Sequence, residues 1–272
     1  MVMCYMPSAA FAEGDIDEST SANDGTALAA STATVIAMVG DDKCTDLAAA
    51  VNKAYNSTNH TIKLIADVTL DYQLNIVQNI PITLDLNGHK ITNVEGLSSN
   101  YGLINIASNA NLSIVGEAQG SAIVDTRNNS QGVNYAIPAI HVYGTLTVSG
   151  DALSISAGEN QIAIKVDEDG EDKQGKLIVE SGTFTSTQAI QNYCGISTIN
   201  GGTFDGIVSN YAYKYGGYSA AGDLTINGGT FNGKVFSAQR NLSGWPEKSA
   251  KISINGGTFN GGIAEYYAQS MR

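Results

Sequence analysis

The sequence predicts an all-β fold, specifically a right-handed parallel β-helix (a solenoid of stacked coils) with a short N-terminal α-helical cap. The hexapeptide Ile-Asn-Gly-Gly-Thr-Phe occupies residues 199–204, 226–231 and 254–259, and a degenerate copy occupies 179–184. These four copies begin 20, 27 and 28 residues apart, and a repeat period of this size is typical of solenoids. Apolar and polar residues alternate just before the glycines, as in 224–226 and 252–254, which indicates strands with one buried face.

Composition excludes several classes of protein. The chain has 272 residues and a net charge of −12, which disfavours nucleic acid or an anionic membrane surface as partner. The length supports a sizeable core, and an apolar content of 43% argues against disorder throughout. No run of consecutive apolar residues approaches the roughly eighteen needed for a membrane-spanning helix, so we expect no transmembrane span.

The first residues predict export. Residues 1–12 carry no charge and end in Ala10-Phe11-Ala12, which fits the small-x-small cleavage pattern of a secretory signal. We interpret this segment as the remnant of a signal peptide, and the Ser-, Thr- and Gly-rich residues 13–33 as a flexible linker. Cys44 and Cys194 fall in regions predicted to lie far apart, so no disulfide is expected between them.

Residues 34–60 are predicted to cap the open end of the solenoid, where unpaired strand edges need cover. A strand over 34–39 precedes a helix over 45–55, with Thr45 as N-cap and with Leu47, Ala50, Val51 and Ala54 on one face. A strand over 62–70 completes the cap.

Residues 61–272 are predicted to form about seven to eight coils. The repeat begins at Leu84, Leu112, Leu146, Leu177, Ser197, Leu224 and Ile252. With strands about 4.8 Å apart, seven coils would make a rod of roughly 34 Å. No cap is visible at the C-terminus, so we expect this end to continue or to abut another domain.

The shared residues of each repeat have structural roles in this prediction. Gly201 and Gly202 allow positive φ where the chain leaves the strand. Two columns are expected to run along the stack: an amide ladder of Asn200, Asn227 and Asn255, and an interior aromatic column of Phe184, Phe204, Phe231 and Phe259.

Residues 39–70 and 82–92, together with the repeated hexapeptide, resemble the pectate-lyase-like β-helix modules of surface proteins from Gram-positive gut bacteria. The resemblance covers residues from about 34 to 272. It implies a secreted or wall-attached bacterial protein and a longer natural chain. It is specific for architecture and implies no defined activity.

The wider superfamily includes lyases and hydrolases, but no catalytic constellation is evident. Arg127, beside Asp125, is the nearest approach to a lyase group, and a solvated turn explains it better. Asp85 is the best strand carboxylate and has no visible partner for glycoside hydrolysis. The three histidines are expected at surface or turn positions: His60, His89 and His141.

One acidic cluster could bind calcium. Asp167, Asp169 and Asp172 surround Gly170, and a hard cation prefers several carboxylates around a tight turn. The alternative is a hydrated turn between strands 162–166 and 176–180. No other cofactor is expected.

Aromatic residues concentrate in the last third of the chain. The candidate glycan- or partner-binding residues are Tyr211, Tyr213, Tyr215, Tyr218 and Trp245. Tyrosines at period 2 place their rings on one strand face, where they can stack against sugars or simply pack.

The leading hypothesis is an exported, cell-surface, non-enzymatic module of adhesin-like character. It would bind glycans or surface molecules of host or neighbouring cells. The alternatives are a polysaccharide lyase or glycoside hydrolase and a structural stalk.

Overall fold

The computed structural model describes residues 34–98, 102–128, 136–170, 173–215, 218–241 and 248–270. The predicted signal remnant (1–12) and linker (13–33) lie outside these ranges. Residues from Thr34 onward form one unit that is mostly β-sheet, with parallel-strand sheets and a single helix in the described part. The predicted all-β character is therefore confirmed.

The helix is α1 (Leu47–Tyr55). The first strands in chain order are β1 (Ala37–Val39), β2 (Asp42–Cys44), β3 (Thr61–Leu64), β4 (Val68–Leu70), β5 (Leu74–Ile76), β6 (Ile82–Asp85), β7 (Lys90–Asn93), β8 (Ile104–Ile106), β9 (Asn111–Val115), β10 (Ala122–Asp125), β11 (Pro138–Val142), β12 (Thr145–Ser149) and β13 (Ser154–Ala157). The remainder are β14 (Ile162–Val166), β15 (Lys176–Val179), β16 (Thr183–Tyr193), β17 (Ile196–Ile199), β18 (Thr203–Tyr215), β19 (Tyr218–Ala221), β20 (Asp223–Ile226), β21 (Thr230–Phe231), β22 (Val235–Asn241), β23 (Lys251–Ile254), β24 (Thr258–Phe259) and β25 (Ile263–Ser270).

The strands form two sheets in which successive repeats lie side by side. One sheet has the order β2-β1-β3-β6-β9-β12-β15-β17-β20-β23, and every pair from β3 onward is parallel. The remaining strands form a second sheet of 15 strands. Each parallel neighbour needs a crossover connection, and here that crossover is the stretch of chain that enters the second sheet.

The repeat register differs from the prediction at its first step. Leu112 lies opposite Ile82, and Leu84 lies opposite Ile114. The prediction paired Leu84 with Leu112 because it aligned Gly88 with Gly116. Gly88 instead packs against Gly120, since a Cβ added to Gly120 would lie 2.8 Å from the Gly88 carbonyl oxygen. The later steps have the predicted register.

The core lies between the two sheets and follows the period-2 pattern. In β12, Leu146 and Val148 are fully buried, while Thr145, Thr147 and Ser149 between them are half-buried. The equivalent interior positions of neighbouring repeats are also apolar. Burial of these branched side chains, at roughly 1.5–3 kcal/mol each, is the main stabilising contribution.

The cap differs from its prediction in its boundaries. The helix begins at Leu47 with Asp46 as N-cap, and the Asp46 carboxylate accepts a hydrogen bond of 2.8 Å from the Ala49 amide. The prediction of Thr45 as N-cap is therefore wrong. The predicted strand over 34–39 is limited to β1. The predicted strand over 62–70 is interrupted, because the chain bends at Ile65 and Ala66 between β3 and β4. Asp67, after the bend, accepts a hydrogen bond from the Lys90 amide.

Two tyrosines attach the helix to the first repeats. The Tyr72 hydroxyl donates to the Asp46 carboxylate at 2.6 Å and accepts from the Ala48 amide at 3.1 Å. Burial, together with the hydrogen bond to Asp46, raises the pKa of Tyr72 to about 12. The Tyr55 hydroxyl accepts from the Val77 amide. The cap is thus joined to the sheets by hydrogen bonds as well as by apolar contact.

Across the described part of the chain, no helix has the length and apolar character needed to cross a membrane. Cys44 and Cys194 are both buried free thiols.

Candidate functional site

The repeated corner carries the amide ladder on its outside. Asn255 donates to the side-chain oxygen of Asn227 at 2.8 Å, and Asn227 donates in the same way to Asn200 at 2.8 Å. Asn200 donates to the Glu180 carboxylate at 3.0 Å, so a charged acceptor lies at the base of the ladder. Each rung links one repeat to the preceding one.

The four phenylalanines stack along the interior of the same corner. Successive ring centroids from Phe184 to Phe259 lie 5.0, 4.8 and 4.9 Å apart, with planes within 8° of parallel. Phe184, Phe204 and Phe231 are fully buried, while Phe259 in the last described repeat is partly exposed. The distance between neighbouring rings is therefore the distance between successive repeats.

The two glycines of the corner have different roles, which corrects the prediction that both need positive φ. Gly202 has φ of +99°, in the region that disfavours other residues. Gly201 does not have positive φ. A Cβ added there would lie 2.6 Å from the Glu180 carbonyl oxygen, so close approach of the preceding repeat excludes a side chain.

An open groove runs along this corner. The hydroxyls of Thr203, Thr230 and Thr258 lie in register on one side, and the glycine backbones form its floor. The wall contains Asp151 and Ser181. Among the residues that the structure describes, the groove is lined by hydroxyl and carbonyl groups at the strand spacing and by no aromatic ring or cation.

The structure also contains polar ladders that the sequence reasoning missed. Asn192 and Asn210 are fully buried inside the sheets, and Asn192 donates to the Asn210 side-chain oxygen at 2.7 Å. Both amides also reach backbone carbonyls of neighbouring turns. The sequence signal for them was the dipeptide Asn-Tyr at 192–193 and 210–211, which also occurs at 100–101 and 134–135, outside the described residues.

The candidate binding surface is a cluster on the outer face of the second sheet, which we call the tyrosine cluster: Tyr193, Tyr211, Tyr213, Lys165 and Arg240. Parallel pairing places Tyr193 opposite Tyr211, and Tyr213 opposite Arg240. Because Ile190 and Val208 occupy the buried face of these strands, the tyrosines an odd number of residues away point outward. Tyr193 was not among the predicted binding residues.

The rings of the cluster are half-buried and contact one another. The Tyr193 centroid lies 5.7 Å from that of Tyr211 and 5.1 Å from that of Tyr213. Lys165 lies 4.9 Å from the Tyr193 centroid, and Arg240 lies 5.5 Å from Tyr193 and 5.6 Å from Tyr211. Cations therefore already occupy ring faces, and the polar groups of the cluster are the groups best placed to contact a ligand.

A buried ionic network adjoins the cluster. The Asp167 carboxylate lies 2.6 Å from Lys165 Nζ and 3.1 Å from His141 Nε2. Burial raises the pKa of Asp167, but the hydrogen bond from His141 and the charge of Lys165 outweigh it, so the pKa is lowered. His141 is buried, which makes the prediction of a surface or turn position wrong for this histidine.

The loop after β14 extends this network in two directions. The Tyr213 hydroxyl donates to the Glu168 carboxylate, and the Ser108 hydroxyl donates to Asp169. Burial and the charges of Asp167 and Asp169 raise the pKa of Glu168. Burial and the Glu168 hydrogen bond raise the pKa of Tyr213. The prediction of a hydrated turn is wrong at Asp167, which is buried.

The predicted calcium ligands do not share one centre among the residues that can be described. Asp167 faces His141 and Lys165, while Asp169 faces Ser108. The third residue, Asp172, lies outside the described ranges. Within those ranges, no group of three His, Cys, Asp or Glu side chains is arranged to hold a metal ion.

Arg127 belongs to a buried ion pair, so the solvated-turn interpretation is wrong. Its Nε donates to the Asp125 carboxylate at 2.8 Å, and the side chains are 9% and 0% exposed. The pair anchors the turn after β10, and Arg127 is not an exposed basic group. Asp85 accepts a hydrogen bond from the Asn87 amide of its own turn.

Part of the predicted aromatic surface cannot be placed. The side chains of Tyr215 and Tyr218 lie outside what the structure describes, and so does Trp245. Tyr211 and Tyr213 share one face, as period 2 implies.

Comparison with family models, with curated proteins and with solved structures gives no match for this chain.

Proposed function

We propose that this chain is an exported, right-handed parallel β-helix module without catalytic activity, and that its tyrosine cluster binds glycans or a protein partner at a cell surface. Parallel pairing of successive repeats supports the β-helix, and parallel crossovers are almost always right-handed. The uncharged segment 1–12 supports export.

The tyrosine cluster is the observation that carries the proposed binding role. Tyrosine and arginine are enriched where protein surfaces bind partners, because they combine apolar area with directed hydrogen bonds. Here Tyr193, Tyr211 and Arg240 are held in mutual contact on sheet strands, so little side-chain freedom is lost when a ligand binds.

A glycan array and a pull-down from cell-surface extracts test this role. We expect the wild-type chain to bind, and Arg240→Ala to lower the apparent affinity by about tenfold or more, as for a hot-spot residue. Lys63→Ala is the matched control because it removes an exposed cation at the capped end. The control should bind as the wild type does. Empty results in both assays would favour a structural stalk.

A polysaccharide lyase or glycoside hydrolase is the second candidate. The position of Glu168 beside the Asp167–His141 pair favours it, because burial raises the pKa of Glu168 toward the range in which a carboxyl can act as general acid, whereas the raised pKa of Tyr213 keeps that hydroxyl protonated. Incubation with a panel of uronic-acid and neutral polymers would test it. Release of unsaturated or reducing sugars that is abolished by Glu168→Gln would establish this activity and displace the non-enzymatic proposal.

A further inference from the structure

Six asparagines in the sequence directly precede glycine, and they differ in how the fold holds them: Asn87, Asn200, Asn227, Asn232, Asn255 and Asn260. In an Asn-Gly pair the glycine amide nitrogen can attack the asparagine side-chain carbonyl carbon, because glycine has no side chain to hinder the approach. The reaction needs a side chain that can leave its position and a glycine amide that is not engaged elsewhere.

Three of these pairs have an engaged glycine amide. The Gly88 amide donates to the Ser121 hydroxyl at 2.9 Å, and the Gly233 and Gly261 amides donate to the carbonyls of Phe204 and Phe231 at 3.4 and 3.2 Å. In the amide ladder, by contrast, the amides of Gly201, Gly228 and Gly256 donate no hydrogen bond within the described ranges. Reactivity is therefore expected in the ladder.

The rungs of the ladder are not equivalent. Asn200 donates to Glu180 and accepts from Asn227, and Asn227 donates to Asn200 and accepts from Asn255. Asn255 donates to Asn227, but its side-chain oxygen accepts nothing from the described residues. Asn255 must therefore break one side-chain hydrogen bond to leave the ladder, whereas the two inner asparagines must break two.

We infer that, in this 272-residue chain, Asn255 is a site of spontaneous deamidation, and that the modification proceeds along the ladder from Asn255 to Asn227 and then to Asn200. The Gly256 nitrogen forms a bond to the Asn255 side-chain carbon. The bond from that carbon to Nδ2 breaks, and Nδ2 leaves as ammonia with the proton from Gly256. Water then opens the cyclic imide, so the product is aspartate or isoaspartate.

The direction follows from the hydrogen bonds. An aspartate at position 255 has no amide to donate, so the Asn227 side-chain oxygen loses its partner and Asn227 then has the same single anchor that Asn255 had. Asn200 reacts last because its anchor is the Glu180 carboxylate, and bonds to charged acceptors are the stronger ones. One neutral hydrogen bond slows each step by about three- to tenfold.

The folded chain, incubated in mildly alkaline buffer and sampled over time, provides the test. Tryptic peptides analysed by fragmentation mass spectrometry give the conversion at each asparagine. We expect Asn255 to convert first, Asn227 about three- to tenfold more slowly, and Asn200 most slowly. In guanidinium the three rates should converge, because the ladder is then absent.

Two variants test the propagation. Asn255→Asp should accelerate conversion of Asn227 by about three- to tenfold. Asn260→Asp is the matched control, because Asn260 donates to Asn232 in a separate ladder and should leave the Asn227 rate unchanged. Equal native rates at Asn255 and Asn227, or equal acceleration by both variants, would overturn the inference. So would the absence of conversion at Asn255 in the folded chain.

Discussion

At the residue scale, the fold depends on side chains whose partners come from other repeats. The sequence predicted the hexapeptide columns because their residues recur in register. It placed Arg127 beside Asp125 but did not predict that this pair is buried. It did not predict the His141–Asp167 contact, because that contact occurs once and no periodicity reveals the partner. Long-range pairing of single polar residues is set by the fold, and composition and spacing carry no sign of it.

Removal of one interior phenylalanine should be costly. Phe231→Ala removes a fully buried ring together with its stacking contacts to the rings on both sides. We therefore expect a loss of about 3–5 kcal/mol in the free energy of unfolding. Phe259→Ala should cost less than half as much, since that ring is partly exposed and has one described neighbour. Urea titration of both variants measures this difference. Equal losses would contradict the stacked column.

Asp167 should make the fold sensitive to acid. Its pKa is lowered in the folded state, so the stabilisation it supplies is present above the unfolded value of about 3.9 and is lost as the pH falls through the folded value. Asp167→Asn should lose about 1–3 kcal/mol at pH near 7 and show a smaller further loss at pH near 3 than the wild type.

The control for this substitution is Asp151→Asn, which changes an exposed carboxylate in the groove. The measurement is the unfolding free energy of the wild type, Asp167→Asn and Asp151→Asn at pH near 7 and at pH near 3. An acid-induced loss in Asp167→Asn as large as in the wild type would show that the network around His141 and Lys165 does not depend on this carboxylate.

At the element scale, the cap and the corners show what local signals can and cannot determine. The helix was predicted from its apolar face, and that face is buried. Its N-cap was misassigned by one residue, because Thr45 and Asp46 are both favourable caps and only the hydrogen bond to Ala49 distinguishes them. The first-repeat register was also misassigned, since Gly88 and Gly116 belong to different corners.

The N-cap assignment predicts a contrast between neighbouring substitutions. Asp46→Ala removes the acceptor of both the Ala49 amide and the Tyr72 hydroxyl, so we expect a loss of about 1–2 kcal/mol. Thr45→Ala should change the unfolding free energy by less than about 0.5 kcal/mol. Asp46→Asn should retain most of the cap. Thermal unfolding followed by circular dichroism measures all three, and a larger loss for Thr45→Ala would restore the original assignment.

The corner glycines predict a second contrast. Gly228→Ala would place a Cβ 2.5 Å from the Asn200 carbonyl oxygen, so the repeats must separate locally and stability should fall by about 2–4 kcal/mol. A Cβ added at Gly170 meets nothing within 4 Å, so only the positive φ of this residue disfavours Gly170→Ala. We expect that variant to lose about 1 kcal/mol in unfolding free energy. Similar midpoints in urea for both variants would contradict the close approach of successive repeats.

At the scale of the whole molecule, a regular stack supports one irregular outer surface. Corner residues repeat from one repeat to the next, and this accounts for much of the glycine content of the chain. The tyrosine cluster lies where the repeats are least regular, because β16 and β18 are much longer than the strands before them. The regular stack of repeats was predictable from the sequence, whereas of this surface only Tyr211 and Tyr213 were predicted.

The net charge of −12 makes the two cations of the tyrosine cluster unusual in this chain. Lys165 and Arg240 are two of only 14 basic residues, and both lie against the Tyr193 ring. A partner that approaches an acidic surface is therefore expected to contact these cations.

The most direct test of the proposed function is a glycan array and surface-extract pull-down performed in parallel on wild type, Arg240→Ala and Lys63→Ala. We predict a reproducible ligand that wild type and Lys63→Ala bind equally and that Arg240→Ala binds at least about tenfold more weakly. Equal binding by all three folded proteins, or no ligand for any of them, would contradict the assignment of the tyrosine cluster as the binding surface.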